Sequence, residues 1–459
     1  MKKQPNARRM VLDLLLSSGD FPTRKFGGFA DKEGLTAQDR GFARQLLSGT
    51  LRNYRKLDVI LEPYCKRRLK SEALRWTLRL GVYQLFFLEH IPDHAAVHST
   101  LDSARPFLKE LSGFANGVLR NLQRSARQED SLPRDPYQED FSRKRLIVGR
   151  RSWIFDRPLF SNPRQHPAEF LAEDMSFSSF LSHRWIAKLG QDGARQRMSW
   201  MNQVPPLWIR VNALRSSAKT VRTGLEEANV LVHPGSHPLS FRLEKHGGDI
   251  TRLPGFAEGH WAVQDLTSLE TAALANPQPK ERILDLCAAP GGKSFAAYEF
   301  SNGEAEVWAC DIHKKRLARL APEADRLGHE ISTQVLSADG GGEPAGHWDC
   351  ILLDVPCTNT GVLHKRLEAR GRFSKDELHR ATTVQNLIRK AYFPRLLGEN
   401  TRVVWSTCSL EPEENQEMVA RFVKQYSLRL EKEVLFEPDG LRAGGYAALL
   451  LPTESPDGK

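Results

Sequence analysis

Beyond about residue 260 the chain alternates short apolar runs with helix-length segments, and few folds accommodate that pattern. The runs fall at 282–287, 306–311, 331–337, 349–354 and 402–407. Strands joined by helical crossovers assemble into a doubly wound, mostly parallel sheet with helices on both faces. In an open sheet of this kind ligands bind outside the carboxyl ends of the strands, where the strand order reverses. The residues that close each strand are therefore the first candidates for chemistry.

The first strand, Ile283-Leu284-Asp285-Leu286, runs into Cys287-Ala288-Ala289-Pro290-Gly291-Gly292-Lys293. Glycine lets backbone come close to a ligand, and the helix N-terminus that follows favours a negative group. The turn is not G-x-G-x-x-G, which weakens a dinucleotide assignment. Asp311 closes the next strand, 18 positions past Lys293, a spacing that suits a carboxylate accepting from ribose hydroxyls. Asp339, after the third strand, could accept from an adenine amino group. Each aspartate alone reads equally well as a solvated strand end. The turn, Asp311 and Asp339 in this order point to S-adenosylmethionine.

The fourth strand ends in Asp354-Val355-Pro356-Cys357, and the fifth, Val403-Val404-Trp405-Ser406-Thr407, in Cys408. Thiols at neighbouring strand ends beside a methyl donor suggest methylation of carbon 5 of a pyrimidine. That carbon is a poor nucleophile until a thiolate adds to carbon 6, and covalent catalysis of this kind splits one hard step into easier ones. A group must then remove the carbon-5 proton so that the thiol can leave. Asp354, protonated or bridged through water, could stabilise charge at ring N3 during addition. The remaining cysteines, Cys65, Cys287, Cys310 and Cys350, form neither C-x-x-C pairs nor zinc-ligand spacing with these two, so no metal site is expected. Cys65, Cys310 and Cys350 read as small buried hydrophobes.

Residues 1 to about 126 carry apolar positions at helical spacing over Arg8–Ser17, Asp39–Leu57, Ser71–Leu88, His94–Leu108 and Gly113–Gln123. Thr36-Ala37-Gln38-Asp39 offers a cap to the second run. Of the net charge of +10, residues 1–130 hold 23 Lys and Arg against 14 Asp and Glu. A basic helical domain beside a near-neutral one suggests that the first grips a polyanion. Its basic residues gather at Arg52, Arg55, Lys56, Lys66, Arg67, Arg68 and Lys70. Residues 127–172 read as a linker with an ordered insert, one strand at Arg151–Phe155 carrying aromatics that could touch RNA or pack. Residues 173–260 read as a small α+β unit: a helix at Phe177–Leu189, a strand at Leu207–Val211 and a helix at Ala218–Ala228. The catalytic domain then spans 261–455, and the last residues, Glu454 to Lys459, are expected to fray. No run approaches a membrane span, and the apolar stretch near the start is short and broken by Asp13, so a cytoplasmic protein is expected.

These residues resemble a known family. Asp285 to Lys293, Asp354 to Val362, Ser406-Thr407-Cys408-Ser409 and Pro412-Glu413-Glu414-Asn415 are similar to motifs of the RsmB/Sun group of RNA 5-methylcytosine methyltransferases. The first domain resembles the NusB RNA-binding fold at Leu78 to Gln84, His94 to Val97 and Phe114 to Arg120. The unit around Leu207 to Asn212 resembles the family's small RNA-recognition-like subdomain. The resemblance implies a multidomain chain: an all-α NusB-like domain, then an α/β Rossmann-like class I methyltransferase with a small α+β subdomain. It implies that Cys408 is the nucleophile and Cys357 assists release. It implies that Cys287, Ala288, Ala289, Pro290, Gly291, Gly292 and Lys293, with Asp311, Asp339 and Asp354, line the cofactor and base pocket. The implied substrate is a cytosine of 16S ribosomal RNA, bound by a monomer with neither metal nor membrane. DNA cytosine methyltransferases use the Pro-Cys cysteine as nucleophile, so the order of the two thiols rests on the resemblance. An idle RNA-binding assembly factor is the alternative, and the retained thiols and glycine turn speak against it. The chain departs from the family after Leu363: the usual two arginines and Pro-Asp are replaced by His364-Lys365-Arg366-Leu367-Glu368, and a tryptophan by Gly371. Gly340-Gly341-Gly342 stands where a basic residue is common.

Overall fold

The computed structural model describes residues 5–17, 19, 21–65, 69–129, 139–246, 248–337 and 339–453. Lys66, Arg67, Arg68 and the terminal run 454–459 lie outside them. The chain forms two compact units, residues 1–202 with 366–374, and residues 203–365 with 375–459. Among the described residues no helix is long and apolar enough to cross a membrane.

The first unit is a helical bundle whose core includes the fully buried Leu46, Leu78, Val97 and Leu119. Its first helices span Ala7–Ser17, Pro22–Glu33, Ala37–Arg52, Tyr54–Leu61, Glu72–Phe87, Asp93–Leu108 and Ser112–Ser125. The Thr36 side chain accepts from the Asp39 amide, the expected cap. The run 39–57, expected as one helix, is two. Asn53 leaves helical geometry, and its Nδ2 donates to Gly49 O at 2.9 Å, a local bond that competes with the helix ladder. Pro22–Glu33 is not expected at all, because Gly27 and Gly28 depress helix propensity. Burial of Pro22, Phe26 and Ala30 supplies the stability that propensity lacks.

Several cations of the expected basic cluster serve packing. Arg55 donates to Ser179 Oγ at 2.8 Å, and Lys56 pairs with Asp174 at 3.1 Å. The insert is more ordered than its single expected strand: β1 (Ala126–Glu129), β2 (Arg145–Val148) and β3 (Arg151–Phe155) form an antiparallel sheet in the order β1-β3-β2. The rings of Trp153 and Phe155 lie 5.6 and 5.4 Å from Phe86, so these aromatics are core packing. Helices Pro167–Met175 and Ser179–Asn202 complete the unit, the second broken at Gly190 (φ 73°, ψ 172°). By packing, this last helix belongs to the bundle. The loop 366–374 is threaded into the same bundle. Leu367 joins the core, and the fully buried Arg370 donates to Arg52 O at 3.1 Å and to Met201 O. Arg52 and Met201 sit in the last turns of two helices, so the guanidinium lies at the negative ends of both dipoles.

The second unit holds two sheets. β4 (Leu207–Val211), β5 (Leu231–Pro234), β6 (Ser240–Glu244) and β7 (Trp261–Val263) form an antiparallel sheet in the order β5-β6-β4-β7. The larger sheet contains β8 (Arg282–Asp285), β9 (Glu306–Asp311), β10 (Ile331–Val335), β11 (Cys350–Asp354), β12 (Arg402–Thr407), β13 (Leu428–Phe436) and β14 (Gly445–Pro452). Its order is β10-β9-β8-β11-β12-β14-β13, parallel except for β14, which runs antiparallel to both neighbours. The strand order reverses at β8, between β9 and β11. β13 and β14 are not among the expected strands. No helix separates them, so the βα rhythm fails there, and β13 is an edge strand carrying Arg429, Glu431, Lys432 and Glu433.

A buried ion pair ties the small sheet to the glycine turn. Arg210 on β4 holds Glu299 through bonds of 2.8 and 2.7 Å and donates to Gly292 O at 3.1 Å. Glu299 lies on helix Gly292–Phe300, which starts at the glycine turn. Such a pair fixes geometry more than it stabilises, because two desolvated charges offset their own attraction.

Candidate active site

The carboxyl ends of β8, β9, β11 and β12 converge at the switch point. Parallel pairing sets Asp354 of β11 opposite Ser406 of β12. Cys357 follows Asp354 by three residues and Cys408 follows Ser406 by two, so register alone brings the thiols to one spot. Their Sγ atoms are 3.1 Å apart, both partly exposed and both free. Cys408 Sγ also donates to Asn359 Oδ1 at 3.3 Å, while Asn359 Nδ2 donates to Cys357 O at 2.7 Å. Asn359 reaches both loops from a left-handed conformation (φ 63°) that asparagine tolerates. The hydrogen bond to Cys408, burial, and the charges of Cys408 and Glu414 push the Cys357 thiol well above its ordinary pKa.

Beneath the thiols lies a carboxylate that sequence reasoning quotes only within a motif. Glu414 is fully buried and accepts from Thr358 N at 2.9 Å and from Gln385 Nε2 at 3.1 Å. The hydroxyls of Thr358 and Ser409 donate to its other oxygen. One side chain thus fixes the residue after each cysteine. Gln385 also donates to Pro356 O at 2.9 Å, and Asn415 Nδ2 to Ser409 O at 3.0 Å. Burial raises the Glu414 pKa against the pull of these donors.

Beside the thiols, Lys293 Nζ meets Asp354 Oδ2 at 2.7 Å, and Ser406 Oγ donates to Asp354 Oδ1 at 3.2 Å. Burial alone would lower the Lys293 pKa, but Asp354 and Asp285 raise it. The ammonium stays charged between two carboxylates. Asp285 is 1% exposed, accepts from Ser294 Oγ at 2.7 Å, and has Oδ1 without a partner. Burial, against the opposing effects of Ser294 and Lys293, pushes its carboxyl up to about 7. The unfolded chain ionises such a group at about pH 4. The stability it contributes is thus complete below pH 4 and is lost as the pH rises to about 7, on the order of 4 kcal/mol. Asp285→Asn is expected to remove that slope. Denaturant unfolding of the full chain at pH 5 and pH 8 checks it, and parallel curves for the two proteins would count against a raised Asp285 pKa.

The glycine turn is tightly enclosed. Gly291 (φ 106°) has no room for a side chain, since a Cβ would fall 2.8 Å from Leu320 and Phe295. The half-buried Cys287 precedes it. Asp311 is 4% exposed; Oδ1 accepts from His313 N at 2.8 Å, and Oδ2 lies 3.6 Å from Arg316. Asp339 lies past β10, exposed, its carboxylate accepting from Ser337 Oγ. The structure thus brings two bonded pairs, Lys293–Asp354 and Cys357–Cys408, to the ends of β11 and β12. It sets Asp311 at the end of β9 and leaves Asp339 at the rim. The orphaned Asp285 Oδ1, the ammonium beside it and the buried carboxylate of Asp311 suit a ligand with both charged and hydroxyl groups.

Known proteins match this arrangement along its length. Residues 5–124 match the NusB family, 177–250 the ferredoxin-like domain of the RsmF/B-like methyltransferases, and 272–458 the 16S rRNA methyltransferase RsmB/F model. The chain is 33% identical to the probable ribosomal RNA small subunit methyltransferase B of Synechocystis sp., across 86% of this chain and 83% of that protein. It is 32% identical to ribosomal RNA small subunit methyltransferase B of Proteus mirabilis, across 85% of each. The crystal structure of PH0851 covers 98% of this chain and 99% of its own, with a TM-score of 0.77 at 21% identity. That of NSun6 from Pyrococcus horikoshii with SFG covers 61% of this chain and 100% of its own, with a TM-score of 0.54 at 19% identity. At these identities the two structures speak for the fold, which is the one expected from the sequence.

Proposed function

The chain belongs to the RsmB/F family of 16S rRNA methyltransferases, and from that premise we propose that it methylates carbon 5 of a cytosine in small-subunit ribosomal RNA through a covalent adduct on Cys408. The observation that carries this is the pair of free thiols 3.1 Å apart, held by Asn359 and Glu414 beside the Lys293–Asp354 pair. An idle assembly factor would have no use for such a network.

S-adenosylmethionine, when bound, supplies an electrophilic methyl group on a sulfonium. The residues 287–293 with Asp311, Asp339 and Asp354 would hold it. Cys408 gives its thiol proton to water, its thiolate adds to carbon 6 of the cytosine, and the electron pair displaced toward carbon 5 makes that carbon the nucleophile. Asp354 accepts from the cytosine amino group, an acceptor for a donor that uracil lacks. Lys293 beside it offsets the carboxylate charge and answers charge developing at N3. After methyl transfer, the carbon-5 proton must leave and the carbon 6–Sγ bond must break.

Timing follows from the cause of the Cys357 shift. Its pKa is raised first by its hydrogen bond to Cys408 and then by burial and charge. Once Cys408 is a neutral thioether, its part in that shift is gone. Burial and Glu414 still act on the thiol, so its proton must pass to water before its sulfur takes the carbon-5 proton as Cys408 departs as a thiolate. The nucleophile and the base are thus used in order, each while the other is neutral.

Incubation of the protein with methyl-labelled S-adenosylmethionine and unmethylated small-subunit rRNA, followed by nucleoside analysis, tests this function. The expected product is 5-methylcytidine. Label on an exocyclic nitrogen or a ribose, or none in RNA, overturns the proposal.

A further inference from the structure

We propose that a pocket in the helical unit, walled by Tyr54, Trp76 and Arg79 and closed by the loop 366–374, takes one unpaired nucleobase of the RNA. This rests on RNA being the substrate and adds a recognition site in the helical unit. The cavity measures about 300 Å³. That is the lower end for small-ligand pockets, enough for a ring system and too small for a helix or strand of a partner. Its floor is apolar, with Leu15, Leu51 and Leu367 all buried.

The walls match a base in both its parts. Arg79 lies 4.3 Å over the Trp76 ring and 5.7 Å from that of Tyr54, fixed by Asp58 at 2.7 Å. Aromatic and guanidinium planes are the surfaces on which single-stranded bases stack. Glu368 supplies the edge. Thr23 N, at 3.2 Å, and Thr23 Oγ1 both donate to its Oε1, so Oε2 can accept from a base amino or imino group. Arg372 also lines the pocket and sits 5.0 Å over Phe21, where a flanking phosphate would meet it. An apolar protein side chain would instead cover Glu368 Oε2 without giving it a donor. The charge balance of residues 1–130 favours a polyanion as well. Gly371 lets the loop lie against the Tyr54 ring. A Cβ there would fall 1.8 Å from Tyr54 Oη, so any side chain would push the Tyr54 wall aside.

The test uses the full-length protein and in-vitro-transcribed small-subunit rRNA. Trp76→Ala should weaken RNA binding roughly 5- to 100-fold by loss of one stacked base. The salt slope and the rate at saturating RNA should stay unchanged. Arg372→Ala should reduce the slope of log affinity against log salt by about one. Glu368→Gln keeps the shape and should also weaken binding, which guards against misfolding of the tryptophan variant. Ultraviolet crosslinking should leave a nucleotide on the peptide containing Tyr54 or Trp76. If folded Trp76→Ala and Glu368→Gln proteins bind rRNA like the wild type, the pocket is not a base site. If Trp76→Ala loses affinity only for assembled subunits, the occupant is a protein side chain and the proposal falls. Wild-type protein that neither binds nor methylates the rRNA would instead sink the substrate reading itself.

Discussion

Cys408→Ala is expected to lose methyl transfer by at least about four orders of magnitude, because without the carbon-6 adduct the ring has no nucleophilic carbon 5. Nothing else in the cluster can substitute. The Cys357 thiol is pushed well above its ordinary pKa, and its loop is pinned through Thr358 to Glu414. Lys293 is paired with Asp354. Cofactor and RNA affinities should change little, since the thiol is a partly exposed atom at the end of a buried strand and carries none of the core. Single-turnover transfer of labelled methyl to rRNA checks this. Retention of even a hundredth of the wild-type rate would mean that Cys408 is not the nucleophile.

Cys357→Ala is expected to behave in the opposite way. Addition and methyl transfer require only Cys408 and the held cytosine, so they should proceed once per enzyme. Release requires a base at carbon 5, and the residue 3.1 Å from the leaving sulfur is then missing. Protein should accumulate as a covalent adduct of methylated RNA that survives denaturing electrophoresis, in near-stoichiometric yield with steady-state turnover close to nil. The double replacement should form no adduct. A stable complex from Cys408→Ala and none from Cys357→Ala would exchange the two roles, as in the alternative order of thiols that the Pro-Cys motif by itself allows. The comparison bears on chemistry alone, since Glu414, Gln385 and Asn415 hold the two loops through Thr358, Pro356 and Ser409 and not through either sulfur.

Why Glu414 escapes a sequence reading is plain from its neighbours. Glu413 and Glu414 are adjacent and chemically identical, yet only Glu414 is fully buried. Nothing in the order Pro412-Glu413-Glu414-Asn415 tells which carboxylate turns inward. Asn359 is equally hidden, one of several polar residues in a loop, and its reach to both thiols depends on a left-handed backbone. The cations at Arg55 and Lys56 err the other way. As sequence they suggest an open basic patch, and in the fold they are spent on Ser179 and Asp174, residues more than a hundred positions away.

The sequence by itself determined what depends on local order. The βα rhythm, the glycine turn and the strand-closing Asp311, Asp354, Cys357 and Cys408 are all legible, because side-chain periodicity and turn chemistry are properties of a few consecutive residues. The tertiary structure decided what depends on pairing across distance. Parallel register of β11 with β12 brings together two thiols 51 residues apart. Burial selects Glu414 over Glu413, and the threading of 366–374 into the helical bundle places Glu368 and Gly371 beside Tyr54. Those outcomes are set by which surfaces exclude water together, and no stretch of the chain read alone contains that information.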